Sequence, residues 1–142
     1  MVRFFFTFLL VVASIAMKAQ SDGIHPGDPG FKEKYAGFDF KGHFAMVIDR
    51  DAENTYFLLD FRQLPSRFER VYFMNLSFGN YKIVNLDPVV TEDKICFKSN
   101  KQYGEREITA IFDDLKKRTT EVSVDWAESI KQKWLTENDK YK

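Results

Sequence analysis

Hydrophobic and polar positions alternate with period two through the middle of the chain. Over residues 43–48, Phe44, Met46 and Ile48 share one face of an extended segment and His43, Ala45 and Val47 the other. The polar run DRDAEN (49–54) is a turn. Residues 56–61 return with Phe57, Leu59 and Phe61 on one side, and Pro65 then interrupts the chain. Residues 72–78 alternate most cleanly, with Tyr72, Met74, Leu76 and Phe78 set against Asn75 and Ser77, and predict a third strand. Gly79-Asn80 fits a two-residue hairpin loop with positive φ at the glycine, followed by a fourth strand at 81–86 that Asp87-Pro88 ends. Residues 94–98 (KICFK) predict a short fifth strand with Ile95 and Phe97 inward. Its terminal lysines suit a sheet edge, because charge discourages further pairing.

The period then changes. Ile108, Ile111, Phe112 and Leu115 fall at i, i+3, i+4 and i+7, one stripe of an amphipathic helix over 105–118. Glu105 and Glu107 stand at its start and Lys116, Lys117 and Arg118 at its end, the polarity that suits the helix dipole. A second helix is predicted over 125–136, with Asp125 as N-cap, Glu128 as its capping-box partner, and Trp126, Ile130 and Trp134 on one face. The fold class is therefore α+β: an antiparallel β-meander of about five strands covered by two C-terminal helices. The body spans 43–138, and residues 139–142 are expected to fray.

Two segments precede that body. Residues 1–19 have Arg3 ahead of an uncharged run over 4–16, too short to cross a bilayer and of the right length for the core of a signal peptide. Cleavage after Ala16 places small Ser14 and Ala16 at the two selective positions, whereas cleavage after Ala19 places Met17 at the first of them. The junction MKAQS resembles that of exported proteins of the Bacteroidota. Residues 20–42 hold five of the seven glycines and two of the four prolines and read as an extended tail. Its aromatic residues Phe31, Tyr35, Phe38 and Phe40 exceed what a solvated spacer needs, and suit packing on the domain or docking on a partner.

Composition narrows the function classes. The 142 residues carry 21 basic and 21 acidic side chains. Losing residues 1–19 removes Arg3 and Lys18 and leaves two more acids than bases. No basic excess points to nucleic acid. Two histidines and one cysteine exclude a disulfide framework and a Cys/His zinc site of the usual ligand count. Because the lone cysteine is Cys96, no lipid-anchoring cysteine follows the leader, and no later apolar run is long enough to span a membrane.

Candidate chemistry is sparse. Cys96 as a nucleophile with His43 as its base would place the thiol inside a strand, where a buried small hydrophobe is the ordinary role. Asp49, Asp51, Glu53 and Asp60 echo an EF-hand spacing, but Asn54 stands at the glycine position and Asp60 at the glutamate position, so an acidic hairpin turn is the plainer reading. His25 and His43 are too far apart in the chain to suggest a shared metal. Asp113 and Asp114 are adjacent on a helix and do not face each other as a glycosidase pair must. No glycine-rich phosphate loop, nucleophile elbow or HExxH motif calls for a cofactor.

Two groups suit partner binding. Arg62, Arg67 and Arg70, interleaved with Phe61, Phe68 and Tyr72, form the one local basic-aromatic cluster, fit for an anionic partner or for ion pairs with Asp60 and Glu69. Trp126 and Trp134 suit core packing or a contact hot spot. The expectation is a small exported, non-catalytic accessory or adaptor protein of a bacterial cell envelope, periplasmic or outer-membrane-associated. It would act on envelope proteins through Arg62, Arg67, Arg70, Phe68, Trp126, Trp134 and the tail aromatics Phe38 and Phe40. The alternative is a small-ligand-binding module with an aromatic-lined pocket.

Overall fold

The computed structural model describes residues 28–79, 82–86 and 89–141. The leader, His25, the Asn80 half of the expected hairpin loop and Asp87-Pro88 lie outside the described residues. The fold is α+β. Its elements are a short helix α1 (Phe31–Tyr35), strands β1 (Ala45–Arg50) and β2 (Asn54–Asp60), a 3-10 turn (Phe61–Gln63) and helix α2 (Arg67–Phe78). Strands β3 (Ile83–Asn85) and β4 (Lys94–Asn100) and helices α3 (Glu105–Asp125) and α4 (Glu128–Asn138) complete it.

The sheet has four strands in the order β1-β2-β4-β3, and every neighbouring pair is antiparallel. It is not a meander of five. β2 and β3 both run antiparallel to β4, so they are parallel to each other, and parallel strands need a crossover connection. Helix α2 supplies it, and α2 contains the segment 72–78 that alternation assigned to a strand.

The physical reason is burial at helical spacing. Phe68, Val71, Met74 and Ser77 recur every third residue on the buried face, with Phe73 beside them, while Tyr72 and Leu76 are half-buried and Phe78 is exposed. Ser66 caps the helix, its hydroxyl accepting from the Glu69 N–H at 3.1 Å, just after Pro65. Gly79 closes the helix with φ −75°, donating to the Leu76 carbonyl, and does not turn a hairpin at positive φ.

The KICFK segment is central, not an edge. β4 pairs with β2 along its length, from Asn54↔Asn100 to Asp60↔Lys94, and with β3 on its other side. Lys94 sits at the strand end and reaches out to the Ala36 carbonyl (3.0 Å), so its charge blocks no pairing. The edges are β1 and the three-residue β3.

Both faces of the sheet are covered. Ala45, Val47, Phe57, Leu59, Ile95 and Phe97 face the helices and join Phe61, Phe73, Ile108 and Phe112 in the main core. On the opposite face Leu58 and Cys96, cross-strand partners, lie beneath Phe31, Tyr35 and Phe40. The set expected to share a face is split: Met46 and Ile48 pack on the second cluster, as alternation within β1 requires, whereas Phe44 precedes the strand and packs in the main one. The Gly/Pro-rich stretch expected to be an extended tail is thus, from residue 31, a helix and turns lying on the sheet.

The two C-terminal helices also depart from the predicted bounds. α3 continues past Arg118 to Asp125 because its buried stripe continues through Thr119, and Ser123 donates to Glu69 of α2 at 2.9 Å. Asp125 is therefore the last residue of α3, and α4 begins at Glu128 after Ala127 with no side-chain cap. α4 packs on α2. The chain end is tied down: Asp139, 5% exposed at its side chain, accepts from Arg67, and Tyr141 stacks on Phe78 at 6.1 Å. Burial first, and then the charge of Asp139, push the Tyr141 phenol up to about 12.

Candidate functional site

The three arginines do not form one cluster. Arg62 grips Asp60 with a two-pronged fork at 2.8 and 3.0 Å. Burial alone would raise the Asp60 carboxyl, but the Arg62 hydrogen bonds and charge hold it below the usual range. Arg67 donates to Asp139 and to the Tyr141 carbonyl (3.2 Å), fixing the chain end. Arg70 is 13% exposed and turned inward. Its Nε donates to the Leu64 carbonyl (2.8 Å), and Nη2 to the Phe61 carbonyl (3.0 Å) and Asp93 (3.1 Å). Nη1 faces the carbonyls of Val90, Thr91 and Glu92 at 3.4–3.5 Å. Each fork is engaged within the fold, Arg70 joining the loop after β2 to the loop before β4.

The acidic set at the β1–β2 hairpin is built as a turn. Asp51 accepts from the N–H groups of Glu53 (2.8 Å) and Asn54 (2.7 Å) and from the Tyr56 hydroxyl (2.6 Å). Asp49 accepts from the Arg50 N–H, and Asp60 is held by Arg62. No group of three or more metal-ligating side chains occurs among the described residues. The Tyr56 hydroxyl, then the two backbone N–H groups, lower the Asp51 carboxyl to about 2. An unfolded aspartate titrates near 3.9. The depressed value means that Asp51 stabilises the fold above about pH 4 and ceases to do so as pH falls through 2. Asp51→Asn should therefore flatten the difference in urea stability between pH 4 and pH 2 relative to the parent. Superimposable acid profiles for the two proteins would contradict this.

The other sequence candidates separate in space. Cys96 is buried at the centre of β4, whereas His43 is exposed ahead of β1. Asp113 and Asp114 lie exposed on α3, Asp114 paired with Arg118 at 2.9 Å. Phe40 is buried under the guanidinium of Arg62 (6.0 Å), and Phe38 is half-buried against Phe40 at 4.9 Å.

Four aromatic rings do converge. Phe68 and Tyr72, one turn apart on α2, meet Trp126 from the α3–α4 junction and Trp134 from α4, with ring centroids 5.2–5.8 Å apart. Lys131 lies over the Phe68 ring at 5.7 Å. Phe68 is buried, while Tyr72, Trp126 and Trp134 are half-buried, so this aromatic corner opens to solvent. Val124, 79% exposed, and Ile130, 52% exposed, lie two residues before Trp126 and one turn before Trp134. Sequence reasoning missed the place of Tyr72 because 72–78 read as a strand. The i, i+4 spacing of Phe68 and Tyr72 after the Ser66 cap was the signal available. Elsewhere, a surface cleft of about 330 Å³ runs between α1 and residues 91–94, with Phe31 and Tyr35 on one side and a Lys32–Glu92 ion pair (3.1 Å) across it.

The fold and this corner define an α+β protein with a four-stranded antiparallel sheet covered on both faces. No protein-family model, curated protein or solved structure matches the chain. Among the described residues no helix is long and apolar enough to cross a membrane.

Proposed function

We propose that the chain is an exported, non-catalytic accessory protein of a bacterial envelope that works by protein contact, docking through the aromatic corner. The observation that supports this is the exposure of Val124 and Ile130 in the same α3–α4 stretch of chain that supplies the half-buried Trp126 and Trp134. None of the eleven residues of α4 is fully buried, yet the helix carries Ile130, Trp134 and Leu135. Large, well-anchored aromatic side chains rimmed by aliphatic ones make effective contact hot spots. The arginines, engaged with their own carboxylates and carbonyls, are not part of the docking surface in this reading.

The test is a photoreactive amino acid placed at Val124 or Ile130 of the full chain in its native cell, with exposed Lys101 as the control position. Discrete adducts at 124 and 130 but not at 101, lost at 124 on Ile130→Asp, are expected. Their absence from correctly folded protein, or a 124 adduct indifferent to Ile130→Asp, would overturn docking at this corner. The export half has its own readout: mature protein outside the cytoplasm should begin just after Ala16 or Ala19, and an intact Met1 on cytosolic protein contradicts it.

A second reading, small-ligand binding, draws on the cleft of about 330 Å³ beside Phe31 and Tyr35, at the small end of the range for ligand pockets. Protection of residues 31–36 from hydrogen exchange by a ligand would favour it over the first.

A further inference from the structure

We propose that residues 28–42 form a strap that opens and closes over the back of the sheet while the rest of the fold stays intact. This is independent of the docking function above. Several observations point to it together.

The strap is a unit of its own. Its rings pack on one another in series, Phe31 on Tyr35 at 5.1 Å, Tyr35 on Phe38 at 6.0 Å and Phe38 on Phe40 at 4.9 Å. Backbone hydrogen bonds close within it, from Phe31 to Asp28, Lys34 to Gly30 and Phe38 to Tyr35, and His43, just beyond it, donates to Phe40. Beneath it lie Leu58 and Cys96, flanked by Met46, Ile48 and Leu86, a cluster separate from the main core. Lifting the strap therefore uncovers the back of β2 and β4 without disturbing Phe57, Phe97 or Phe112 on the helix side. Polar ties at the rim include Lys32 to Glu92 and Lys94 to the Ala36 carbonyl, both exposed to water, which replaces them at little cost.

The closed position also carries two penalties. The Tyr35 hydroxyl is buried with no hydrogen-bond partner, and a buried polar group without one opposes the state that buries it. Where the strap joins β1, Lys41 has φ 51° and Gly42 φ 80°. Lys41 is the one non-glycine residue at positive φ among the described residues. A Cβ added at Gly42 would meet nothing within 4 Å, so glycine is needed there for its backbone conformation and not for space. A short hinge at a special backbone conformation, a self-contained apolar segment and an unsatisfied hydroxyl are the features of a local opening that precedes global unfolding.

Cys96 reports the opening, because its thiol lies under the strap. Trp126 and Trp134 report the rest, because they sit on the helix side. The experiment is the rate of Cys96 modification by an aromatic disulfide reagent in the intact protein at low urea, followed beside tryptophan fluorescence. Labelling should depend only weakly on urea and precede the fluorescence change. Tyr35→Phe removes the orphaned hydroxyl and should slow labelling about tenfold. Gly42→Ala strains the closed hinge and should speed it about tenfold. Labelling that follows the urea dependence of the tryptophan transition, or that Tyr35→Phe fails to slow, would overturn the strap.

Discussion

Phe112→Ala should cost about 4 kcal/mol and lower the melting temperature by roughly 15 °C. Phe112 is fully buried on the sheet-facing side of α3, its ring 5.6 Å from Phe57 of β2 and 5.3 Å from Phe97 of β4, both edge-on. It holds the longest helix among the described residues to the two central strands. Removing the ring loses its transfer free energy and leaves a cavity lined by rings that the cross-strand pair Phe57↔Phe97 fixes in place. Sites that cannot collapse sit at the costly end of such substitutions. Urea unfolding of both proteins gives the difference directly, and a loss under about 1.5 kcal/mol would show that the helix–sheet interface repacks.

Arg70→Met should cost about 3 kcal/mol, as much as many core truncations, although it removes a charged side chain. Methionine keeps most of the stem and loses the guanidinium, whose three nitrogens serve the carbonyls of Phe61 and Leu64 on one loop and those of residues 90–92 on another. Those carbonyls flank the point where the Phe61 N–H donates to the Asp93 carbonyl (2.7 Å), so water entering there loosens the start of β4 as well. Arg70→Lys should recover little, because one ammonium group cannot span both loops as the planar fork does. Wild-type stability of Arg70→Lys would contradict this account. Because the group is largely buried, the effect should persist at high salt, unlike that of an exposed pair.

The α+β class, strands β1, β2 and β4, and the stripe of α3 were legible because each has a strong period along the chain. The inward set Phe57, Leu59 and Phe61 was read correctly for the same reason. Helix α2 was misread because Tyr72, Met74, Leu76 and Phe78 satisfy alternation, while the helical face runs through other positions, Phe68, Val71, Met74 and Ser77. Extending the window back to Ser66-x-x-Glu69 after Pro65, a helix start, separates the two. The bulge at Ile48 has no local signature and puts Val47 and Asp49 on opposite faces. The arginines were legible as a cluster but not in their partners: Asp139 lies 72 residues from Arg67, and Asp93 lies 23 from Arg70. Such pairings exist only once the chain has folded, and they turn a seeming surface into internal supports. The aromatic corner shares that origin, since its rings come from three separate elements.

The order β1-β2-β4-β3 also sets the timing of folding. The hairpin of β1 and β2 can form early from neighbours in the chain, but the other side of β2 waits for β4, whose nearest paired residue lies 34 positions later, Lys94 opposite Asp60. Closing so long a loop slows the step that assembles the core. Until then β2 offers an open edge with apolar residues on both faces, the kind of surface on which unfinished chains aggregate. A chain cut short before Lys94 stays in that condition, and its natural fate is capture by a chaperone or degradation.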